Sequence, residues 1–442
     1  MTYQCQKCGY ISRKWLGKCP DCNEWNTFSE AESKAKNKLH HSGKSAESLA
    51  SIEITQDSKT STKLKELDRV LGNGVVAGQV ILIGGNPGIG KSTLLTQVLN
   101  NMSTEEKKGV YLSAEESPLQ VKMRTERLAI ENANIFVLPE NNISLAIEEI
   151  KRLKPAYLVV DSIQTVFSDT SASIPGSISQ IKECAAILID YIKYSGTVLF
   201  LIGHVTKEGA IAGPKVLEHM VDTVLYFESE TSTDYRIVRS LKNRFGKVNE
   251  IAIFEMTSSG LKEVLNPTNI FIANRGERNI GSIIFPLVEG SRIFLVEVQA
   301  LVSNSSYAMP RRNAQGIEQN RMNLLIAVAE KILGLNLYGN DIFINIPGGI
   351  KVSDPSVDLA VITAILSSFL NREIDSALAC FGEVGLNGEV RKASFWEERI
   401  KEASRMGFRK IVTHQIDNGV KAFEKINILP INNISGIPDC IN

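Results

Sequence analysis

Residues 80–99, VILIGGNPGIGKSTLLTQVL, decide the fold of the chain. The apolar stretch VILIG (80–84) predicts a buried strand, and the stretch STLLTQVL (92–99) predicts a helix. The residues between them fit GxxxxGK[ST], in the strand–loop–helix context where that pattern binds phosphate. Glycines let backbone N–H groups surround the phosphates, and the helix N-terminus adds a positive dipole. We predict a nucleoside triphosphate site, with ATP as the expected ligand, formed by Gly85, Asn86, Pro87, Gly88, Ile89, Gly90, Lys91, Ser92 and Thr93.

The loop also predicts a magnesium ion. Lys91 is expected to reach the β- and γ-phosphates, and Ser92 is expected to ligate Mg²⁺. Asp161 ends the apolar strand YLVVD (157–161), where a Walker B carboxylate holds the water shell of the metal. The alternative for Asp161 is a helix N-cap, which the four preceding apolar residues make less favourable.

Hydrolysis needs a group that polarises water. Glu115 and Glu116 directly follow the strand VYLSA (110–114), so one of them is expected to act as the base. We prefer Glu115, and Glu116 is then a solvated carboxylate. His204 ends the stretch TVLFLIGH (197–204), and it is either a γ-phosphate sensor or a structural histidine.

Apolar runs alternate with amphipathic helical patterns between residues 61 and 265. This alternation predicts a parallel α/β sheet. The remaining predicted strand is IFVLP (135–139), and predicted helices include SLAIEEIKRL (144–153) and SISQIKECAAILIDYI (177–192). From residue 267 the pattern changes to that of a separate α+β domain, with strands RIFLVEVQALV (292–302), FINI (343–346) and CFGEVGL (380–386) and helices near 318–333, 356–370 and 396–406.

Four cysteines stand in the first 28 residues, in two CxxC pairs: Cys5, Cys8, Cys19 and Cys22. Two such knuckles predict a structural zinc site, because four thiolates fill the tetrahedral shell of Zn²⁺ and leave no open position. The alternative is a redox pair, which two pairs so close together disfavour. Trp15 and Trp25, with Lys14 and Lys18, either form a nucleic-acid or partner surface or pack over the knuckles, and we prefer packing.

Composition sets limits on the partners. Lys plus Arg and Asp plus Glu both number 49, so a nucleic-acid surface requires a local basic patch. No apolar run is long enough for a bilayer and the first residues do not resemble a signal peptide, so we expect a cytoplasmic protein without a membrane partner.

Residues 29–60 are rich in Ser, Lys, Ala and Glu and predict a flexible linker. The single cysteines Cys184, Cys380 and Cys440 are expected to be inert.

Several motifs together resemble one family. They are CQKCGY (5–10) with KWLGKCPDCNEWNTF (14–28), GGNPGIGKST (84–93), YLSAEES (111–117), VVDSIQT (159–165), GHVTKEG (203–209) and KNRFG (242–246), and they occur in one order. In this combination the chain resembles the bacterial RadA (Sms) family of RecA-like DNA repair ATPases. The resemblance covers nearly the whole chain apart from the linker.

The resemblance implies several roles. Lys242 and Arg244 of KNRFG resemble an element that enters the ATP site of a neighbouring subunit, where an arginine stabilises transition-state charge. The alternative for both is a solvated basic turn. The family further implies a homo-hexameric ring on single-stranded DNA, branch migration of recombination intermediates, and a recombinase and other repair proteins as partners. Lys207 and Lys247 are expected candidates for contacts with the DNA.

Residues 267–442 resemble the proteolytic domain of Lon. The matching stretches are DPSVDLA (354–360) and GEVGLNGEV (382–390). Ser356 stands at the position of the Lon nucleophile, but the position of the base lysine falls at Glu397, and Lys392 and Lys401 are off this register. We therefore expect a proteolytic fold without proteolysis.

The complete prediction is a RecA-like parallel-sheet ATPase core, with an N-terminal four-cysteine zinc module and a C-terminal Lon-like α+β domain.

Arg311 and Arg312 in PRRNAQG (310–316) are expected in a loop, either touching DNA or as a surface basic pair. The rival functions are an ATP-dependent protease, which the Glu397 mismatch opposes, and an ATP-switched scaffold, whose relatives lack the zinc module.

Overall fold

The computed structural model describes residues 2–12, 14–31, 59–169, 173–174, 176–204, 214–228, 234–265, 268, 272, 279–307, 309–348, 350–416 and 426–441. These residues form two compact units, one made of described residues up to Val264 and one made of those from Leu265 onward. Most of the predicted linker and Lys207 lie outside the described residues. Among the described helices, none combines the length and the apolar character needed to cross a membrane.

The first unit begins with a small antiparallel ribbon. Its described strands are ordered β2-β1-β3, with bounds β1 (Thr2–Cys5), β2 (Ile11–Ser12) and β3 (Phe28–Ala31). Its apolar interior is formed by Cys5, Cys19 and Phe28. Because these buried side chains are few, they contribute little to the folding free energy of the ribbon. Metal binding is the expected source of the remaining folding free energy.

A mixed sheet forms the core of the first unit. Over the described residues it has nine strands in the order β14-β13-β12-β11-β6-β10-β9-β7-β8. Its strands are β6 (Val80–Gly85), β7 (Gly109–Ser113), β8 (Ile135–Leu138), β9 (Tyr157–Asp161), β10 (Val198–His204), β11 (Thr223–Glu228), β12 (Tyr235–Asn243), β13 (Ile251–Thr257) and β14 (Gly260–Glu263), and a separate pair is β4 (Lys59–Thr60) with β5 (Val75–Val76). The helices of this unit are α1 (Lys65–Leu71), α2 (Lys91–Met102), α3 (Pro118–Arg127), α4 (Ile143–Leu153), α5 (Ile178–Ser195) and α6 (Pro214–Leu217).

The predicted parallel sheet is present as the strands β8, β7, β9, β10, β6 and β11. Alternate side chains of β6 face opposite sides, so that Ile81 and Ile83 pack with α1 and α2 while Val80 and Leu82 pack with α4 and α5. Polar caps fix where helices start: Asn142 caps α4 and Ser177 caps α5. One difference from the expectation is that β12, β13 and β14 extend the sheet in antiparallel fashion.

The second unit is the predicted α+β domain. Its larger sheet has, in the described residues, the order β17-β18-β16-β15-β19-β22-β23. The strands are β15 (Ser282–Glu289), β16 (Arg292–Asn304), β17 (Arg312–Gln315), β18 (Asn340–Asn345), β19 (Leu378–Cys380), β20 (Glu383–Val384), β21 (Val390–Arg391), β22 (Lys410–Thr413) and β23 (Asn427–Pro430). The helices are α7 (Gln319–Leu333), α8 (Asp358–Leu370), α9 (Trp396–Arg405) and α10 (Ile437–Cys440), with single 3₁₀ turns at Pro355–Val357 and Ile434–Gly436.

Two local predictions in this unit are wrong. The stretch CFGEVGL is not one strand, because the Gly382 N–H leaves the sheet to donate to the carbonyl of Ser356, 2.8 Å away. The chain then re-pairs as a separate hairpin of β20 and β21. The stretch PRRNAQG is not wholly a loop, because Arg312–Gln315 forms β17 parallel to β18.

Candidate nucleotide site and zinc ribbon

The P-loop connects the carboxyl end of β6 to the start of α2, as predicted. Gly85 has φ 153° and Gly90 has φ 115°, in the region that favours glycine. A Cβ on Gly85 would lie 2.8 Å from the Cβ of Phe227, so this position also lacks room for a side chain. Within the loop, Pro87, Gly88, Gly90, Lys91, Ser92 and Thr93 line a cleft of about 760 Å³.

Not every residue of the motif faces the cleft with its side chain. Ile89 is buried in the core under the sheet, and its carbonyl oxygen accepts from Arg236 Nε at 3.2 Å. Asn86 contributes its carbonyl oxygen, which accepts from Lys91 Nζ at 2.8 Å. The contribution of these two residues to the site is therefore through their backbone.

Lys91 is buried at the base of the cleft. Its ammonium donates to the carbonyl oxygens of Gly85 and Asn86 at 2.8 Å each and lies 3.3 Å from His204 Nδ1. Burial lowers the pKa of Lys91 to about 8, although the charges of Asp161 and Glu115 act in the opposite direction. A desolvated ammonium held by weak neutral acceptors is well placed to exchange them for phosphate oxygens.

Oxygen donors gather beside the first turn of α2. The Ser92 hydroxyl donates to Asp161 Oδ2 at 2.6 Å, and the Tyr111 hydroxyl donates to the same oxygen. Mg²⁺ prefers hard oxygen ligands from a hydroxyl and one or two carboxylates, together with phosphates. Ser92 and Asp161 therefore fit the ion that the loop predicts.

The two glutamates after β7 lie in different environments. Glu115 Oε1 accepts from the Ser162 hydroxyl at 2.5 Å and lies 3.6 Å from His204 Nε2. Contact with His204 lowers the pKa of Glu115 although burial opposes this, and Ser162 adds to the lowering. Glu116 instead forms an ion pair with Arg124, at 2.6 Å. Glu115 is thus kept ionised beside Lys91, as a proton acceptor must be, while Glu116 is neutralised by an arginine.

Lys242 and Arg244 lie at the opposite edge of the same sheet, meaning the side where the parallel strands β6 and β11 begin. Asn243 pairs with Thr223, and Thr223 pairs with Ile81 near the start of β6, whereas the P-loop follows its end. The four residue steps from Ile81 to Gly85 separate the two edges by about 13 Å at roughly 3.3 Å per residue. These two residues therefore do not join Lys91 and Glu115 within one chain.

The contacts of the two basic residues also differ. Lys242 Nζ donates to the carbonyl oxygens of Glu218 and Val221 at 2.7 and 2.8 Å. The Arg244 side chain is 59% exposed and contacts Asp222 Oδ1 at 3.1 Å. Arg244 is thus the more accessible charge of the pair.

The four predicted zinc ligands converge. Their Sγ atoms all lie within 4.8 Å of one another, with Cys5 and Cys22 at 3.6 Å and Cys8 and Cys19 at 3.4 Å. A tetrahedral site with Zn–S bonds of about 2.3 Å requires sulfur separations of roughly 3.8 Å, so the cluster fits zinc.

Trp15 is 52% exposed and Trp25 is 68% exposed, and Lys18 lies 5.7 Å from the Trp25 ring. Both rings are partly exposed, while Trp15 Nε1 donates to the Phe28 carbonyl at 3.2 Å, and the preference for packing over the knuckles remains a prediction.

Among the described residues of the second unit, no lysine is hydrogen-bonded to Ser356. The buried Ser356 hydroxyl donates to Asp354, whose other carboxylate oxygen accepts from the fully buried Arg399. Glu397 lies at the exposed start of α9, 3.7 Å from Lys401. Lys392 lies over the Trp396 ring at 5.7 Å.

Arg311 and Arg312 are not equivalent. The guanidinium of Arg311 donates to Asp341 Oδ2 at 2.7 and 3.0 Å and lies 4.8 Å from the Tyr307 ring. Arg312 begins β17.

Sequence reasoning did not single out Tyr111, Arg124 or Arg236, which line or brace the nucleotide cleft, because no local motif marks them.

Three family models match parts of the chain. The rubredoxin metal-binding domain matches residues 3–30, the KaiC ATPase matches residues 60–137, and the C-terminal proteolytic domain of Lon protease (S16) matches residues 327–428. A solved KaiC-like protein from Pyrococcus horikoshii OT3 is 18% identical, with a TM-score of 0.40, over 47% of this chain and 98% of that one.

The sheet, the P-loop and the matching family models define a RecA-like P-loop ATPase, here joined to a zinc ribbon and a Lon-like domain. DNA repair protein RadA of Bacillus subtilis is 47% identical over 92% of this chain and 91% of its own length. The proteins of that name from Pseudomonas aeruginosa (46%, over 93% and 92%) and Aquifex aeolicus (44%, over 98% and 97%) are also similar. The chain belongs to the RadA family of DNA repair ATPases.

Proposed function

We propose that this protein is a DNA-dependent ATPase that works as a homo-hexameric ring on single-stranded DNA and promotes branch migration of recombination intermediates. The observation that carries the proposal is the position of KNRFG at the sheet edge opposite the P-loop of its own chain. If Arg244 serves in hydrolysis, a neighbouring copy must supply it. The relatives named DNA repair protein RadA support a role in recombinational repair.

Each residue of the cleft has a proposed part in hydrolysis. The loop backbone and Lys91 bind the phosphates of ATP, and Ser92 and Asp161 hold Mg²⁺, which neutralises the developing charge. Glu115 accepts the proton of the attacking water, and His204 orients Glu115 through their contact. Lys242 and Arg244 of the neighbouring copy stabilise the charge on the transferred phosphoryl group.

The proposal is tested by ATPase rates with and without single-stranded DNA, read beside the mass of the assembly. We expect DNA to stimulate turnover and the mass to correspond to a ring. Lys91→Ala should abolish turnover, whereas Lys107→Ala, an exposed lysine beyond α2, should not change it. Turnover that ignores DNA would favour the ATP-switched scaffold, and turnover in Lys91→Ala would refute the nucleotide site.

The DNA contacts and partners belong to the same proposal. We place single-stranded DNA and branched intermediates in the cytoplasm as substrates, with a recombinase and other repair proteins as partners. The exposed Lys247, together with Arg311, Arg312 and the ribbon residues Lys14, Lys18, Trp15 and Trp25, are the candidate contacts. Exposed aromatic rings stack on bases and cations neutralise phosphates, so alanine at these positions should weaken binding and flatten its salt dependence.

We further propose that the Lon-like unit is not a protease. Ser356 donates its hydroxyl proton to Asp354, and Asp354 accepts from Arg399, so in the part of the chain that the structure describes a carboxylate and not an amine receives that proton. Casein should remain intact in the presence of ATP and DNA. Casein cleavage that disappears in Ser356→Ala would restore the rival function of an ATP-dependent protease.

A further inference from the structure

The Walker B carboxylate is held from one side by a buried tyrosine. Asp161 receives two hydroxyl donors, from Ser92 at 2.6 Å and from Tyr111, and both fall on Oδ2. In the described part of the chain, no hydrogen bond is directed to Oδ1, and Asp161 lines the cleft. The two carboxylate oxygens therefore differ: Oδ2 accepts two hydrogen bonds, and Oδ1 accepts none from the described residues.

The tyrosine is itself fixed in place. Tyr111 lies on β7 beside β9, buried, with its backbone in register opposite Val159, two residues before Asp161. The guanidinium of Arg124, on α3, lies 5.1 Å from the centre of the Tyr111 ring. A side chain closed in by strand pairing and a stacked cation has little freedom to rotate, so its hydroxyl points to one place.

Arg124 is an unusual neighbour for such a ring. Its side chain is only 9% exposed, and Glu116 is its ion-pair partner at 2.6 Å. Within the described residues, its buried Nε and Nη2 atoms make no hydrogen bond. Burying N–H donors without acceptors is costly, and the ring of Tyr111 and the carboxylate of Glu116 are the contacts that offset this cost.

We propose that Tyr111 is a positioning residue for the divalent cation of the nucleotide site, and that Arg124 braces it. The Tyr111 hydroxyl fixes Oδ2 of Asp161 and thereby directs Oδ1 towards the water shell of the cation. The Ser92 hydroxyl can donate its proton to Oδ2 and still offer a lone pair to the same ion. This assignment rests on the proposed nucleotide site and adds a residue to it that no phosphate-binding motif contains.

The test is the affinity for the cation rather than the rate of hydrolysis. Tyr111→Phe removes the hydroxyl and keeps the ring, and Tyr157→Phe is the matched control, a buried tyrosine of β9 at the amino end of that strand. Mn²⁺ binding is measured by electron paramagnetic resonance in the presence of a non-hydrolysable ATP analogue. Nucleotide binding is measured in parallel with a fluorescent analogue in excess EDTA.

Loss of one hydrogen bond to a charged group should weaken Mn²⁺ binding by about tenfold in Tyr111→Phe. Nucleotide affinity in EDTA should stay at the wild-type value, and Tyr157→Phe should match wild type in both measurements. Arg124→Lys leaves the Tyr111 hydroxyl in place and keeps the positive charge, but it removes the planar guanidinium over the Tyr111 ring. It should weaken Mn²⁺ binding by a smaller factor than Tyr111→Phe.

Wild-type Mn²⁺ affinity in Tyr111→Phe would overturn the assignment while leaving the proposed function intact. If Tyr111→Phe loses nucleotide affinity in EDTA by the same factor as it loses Mn²⁺ affinity, the assignment is also overturned. Such a result would show that the substitution disturbs the fold of the whole site. A wild-type protein without metal-dependent nucleotide binding would overturn the nucleotide site itself. These three results are distinguishable from one another.

Discussion

The two consecutive glutamates after β7 show how far neighbouring side chains can differ. In the bend that follows β7, Glu115 contacts Ser162 and His204, whereas Glu116 contacts Arg124. Glu115 contacts the histidine that lies beside Lys91, whereas Glu116 Oε2 pairs with Arg124 at 2.6 Å. The preference for Glu115 as the base remains a prediction, now supported by its contacts.

We expect Glu115→Gln to reduce kcat by 10²- to 10⁴-fold, on the order of the usual contribution of a general base. ATP affinity should change little, because the amide retains the shape and accepts the same hydrogen bonds. Glu116→Gln is the matched control, and it should reduce kcat by less than about tenfold, below the usual contribution of a general base, since Glu116 contacts Arg124 rather than Ser162 and His204. Single-turnover hydrolysis and binding of a fluorescent nucleotide measure the two effects. A larger loss in Glu116→Gln than in Glu115→Gln would reverse the assignment.

At the scale of elements, the KNRFG turn is seated against the end of α1. Gly72 ends α1 with φ 86°, and a Cβ on Gly246 would lie 2.7 Å from the Gly72 Cα. Phe245 O also accepts from Lys59 Nζ at 2.9 Å, and the Asn243 side chain donates to Val70 O at 3.0 Å. The turn that carries Arg244 therefore has a fixed position on the first unit.

Gly246→Ala should destabilise the first unit by about 1–3 kcal/mol, because backbone atoms must move to admit the methyl group. It should also displace the KNRFG turn and reduce hydrolysis, while nucleotide binding at the far edge of the sheet is preserved. Gly339→Ala is the control, since no atom lies within 4 Å of the added Cβ. Urea unfolding and nucleotide affinity are the measurements. An unchanged midpoint would contradict the close approach of the two glycines.

The ribbon is the element whose stability depends on a ligand. We expect one zinc per chain by metal analysis, none in Cys8→Ser, and an unchanged content in Cys440→Ser, which lies outside the cluster. A chelator should unfold the ribbon and leave the thermal transition of the ATPase sheet in place, because that sheet has its own large core. Loss of both transitions together would show that the ribbon is not an independent folding unit.

The sequence predicted those elements whose signal is local. The strands β6, β7, β9 and β10 and the helices α4 and α5 were found because each is a continuous apolar or amphipathic run with a polar residue at its end. The antiparallel strands from Tyr235 onward were missed, because their pairing is set by neighbours rather than by their own pattern. The break after Cys380 was missed because Gly382 leaves the sheet for a contact with Ser356, which lies far away along the chain.

The same distinction holds within the nucleotide site. Lys91, Ser92 and Asp161 have motif signatures, since each stands next to a strand or helix end that the sequence reveals. Tyr111 reads as one more apolar residue of β7, and Arg124 reads as one more charge on α3. Their relation to Asp161 depends on which strands become neighbours, and a single sequence does not contain that information.

At the scale of the whole molecule, the proposed ring requires each chain to contribute half of a site at each edge of its sheet. The P-loop, Asp161 and Glu115 stand at one edge, and Lys242 and Arg244 stand at the other. Such a head-to-tail arrangement generates rings when the rotation between copies closes. It also predicts that two inactive variants can restore each other, because their defects lie in different halves.

Lys91→Ala has no functional P-loop but retains Arg244, and Arg244→Ala retains the P-loop but lacks the arginine. Each alone should hydrolyse little ATP, with Arg244→Ala reduced by about 10³-fold or more, the usual contribution of an arginine finger, while still binding nucleotide. In mixed assemblies, an Arg244→Ala copy that receives Arg244 from a Lys91→Ala neighbour has a complete site. At equal amounts and random order, such pairs form one quarter of the interfaces, so about a quarter of wild-type activity should return if the sites act independently. The control is a mixture of Lys91→Ala with the double variant Lys91→Ala/Arg244→Ala, which contains no complete site at any ratio. Recovery confined to the first mixture requires hydrolysis in trans, whereas full activity of Arg244→Ala alone would remove Arg244 from the site.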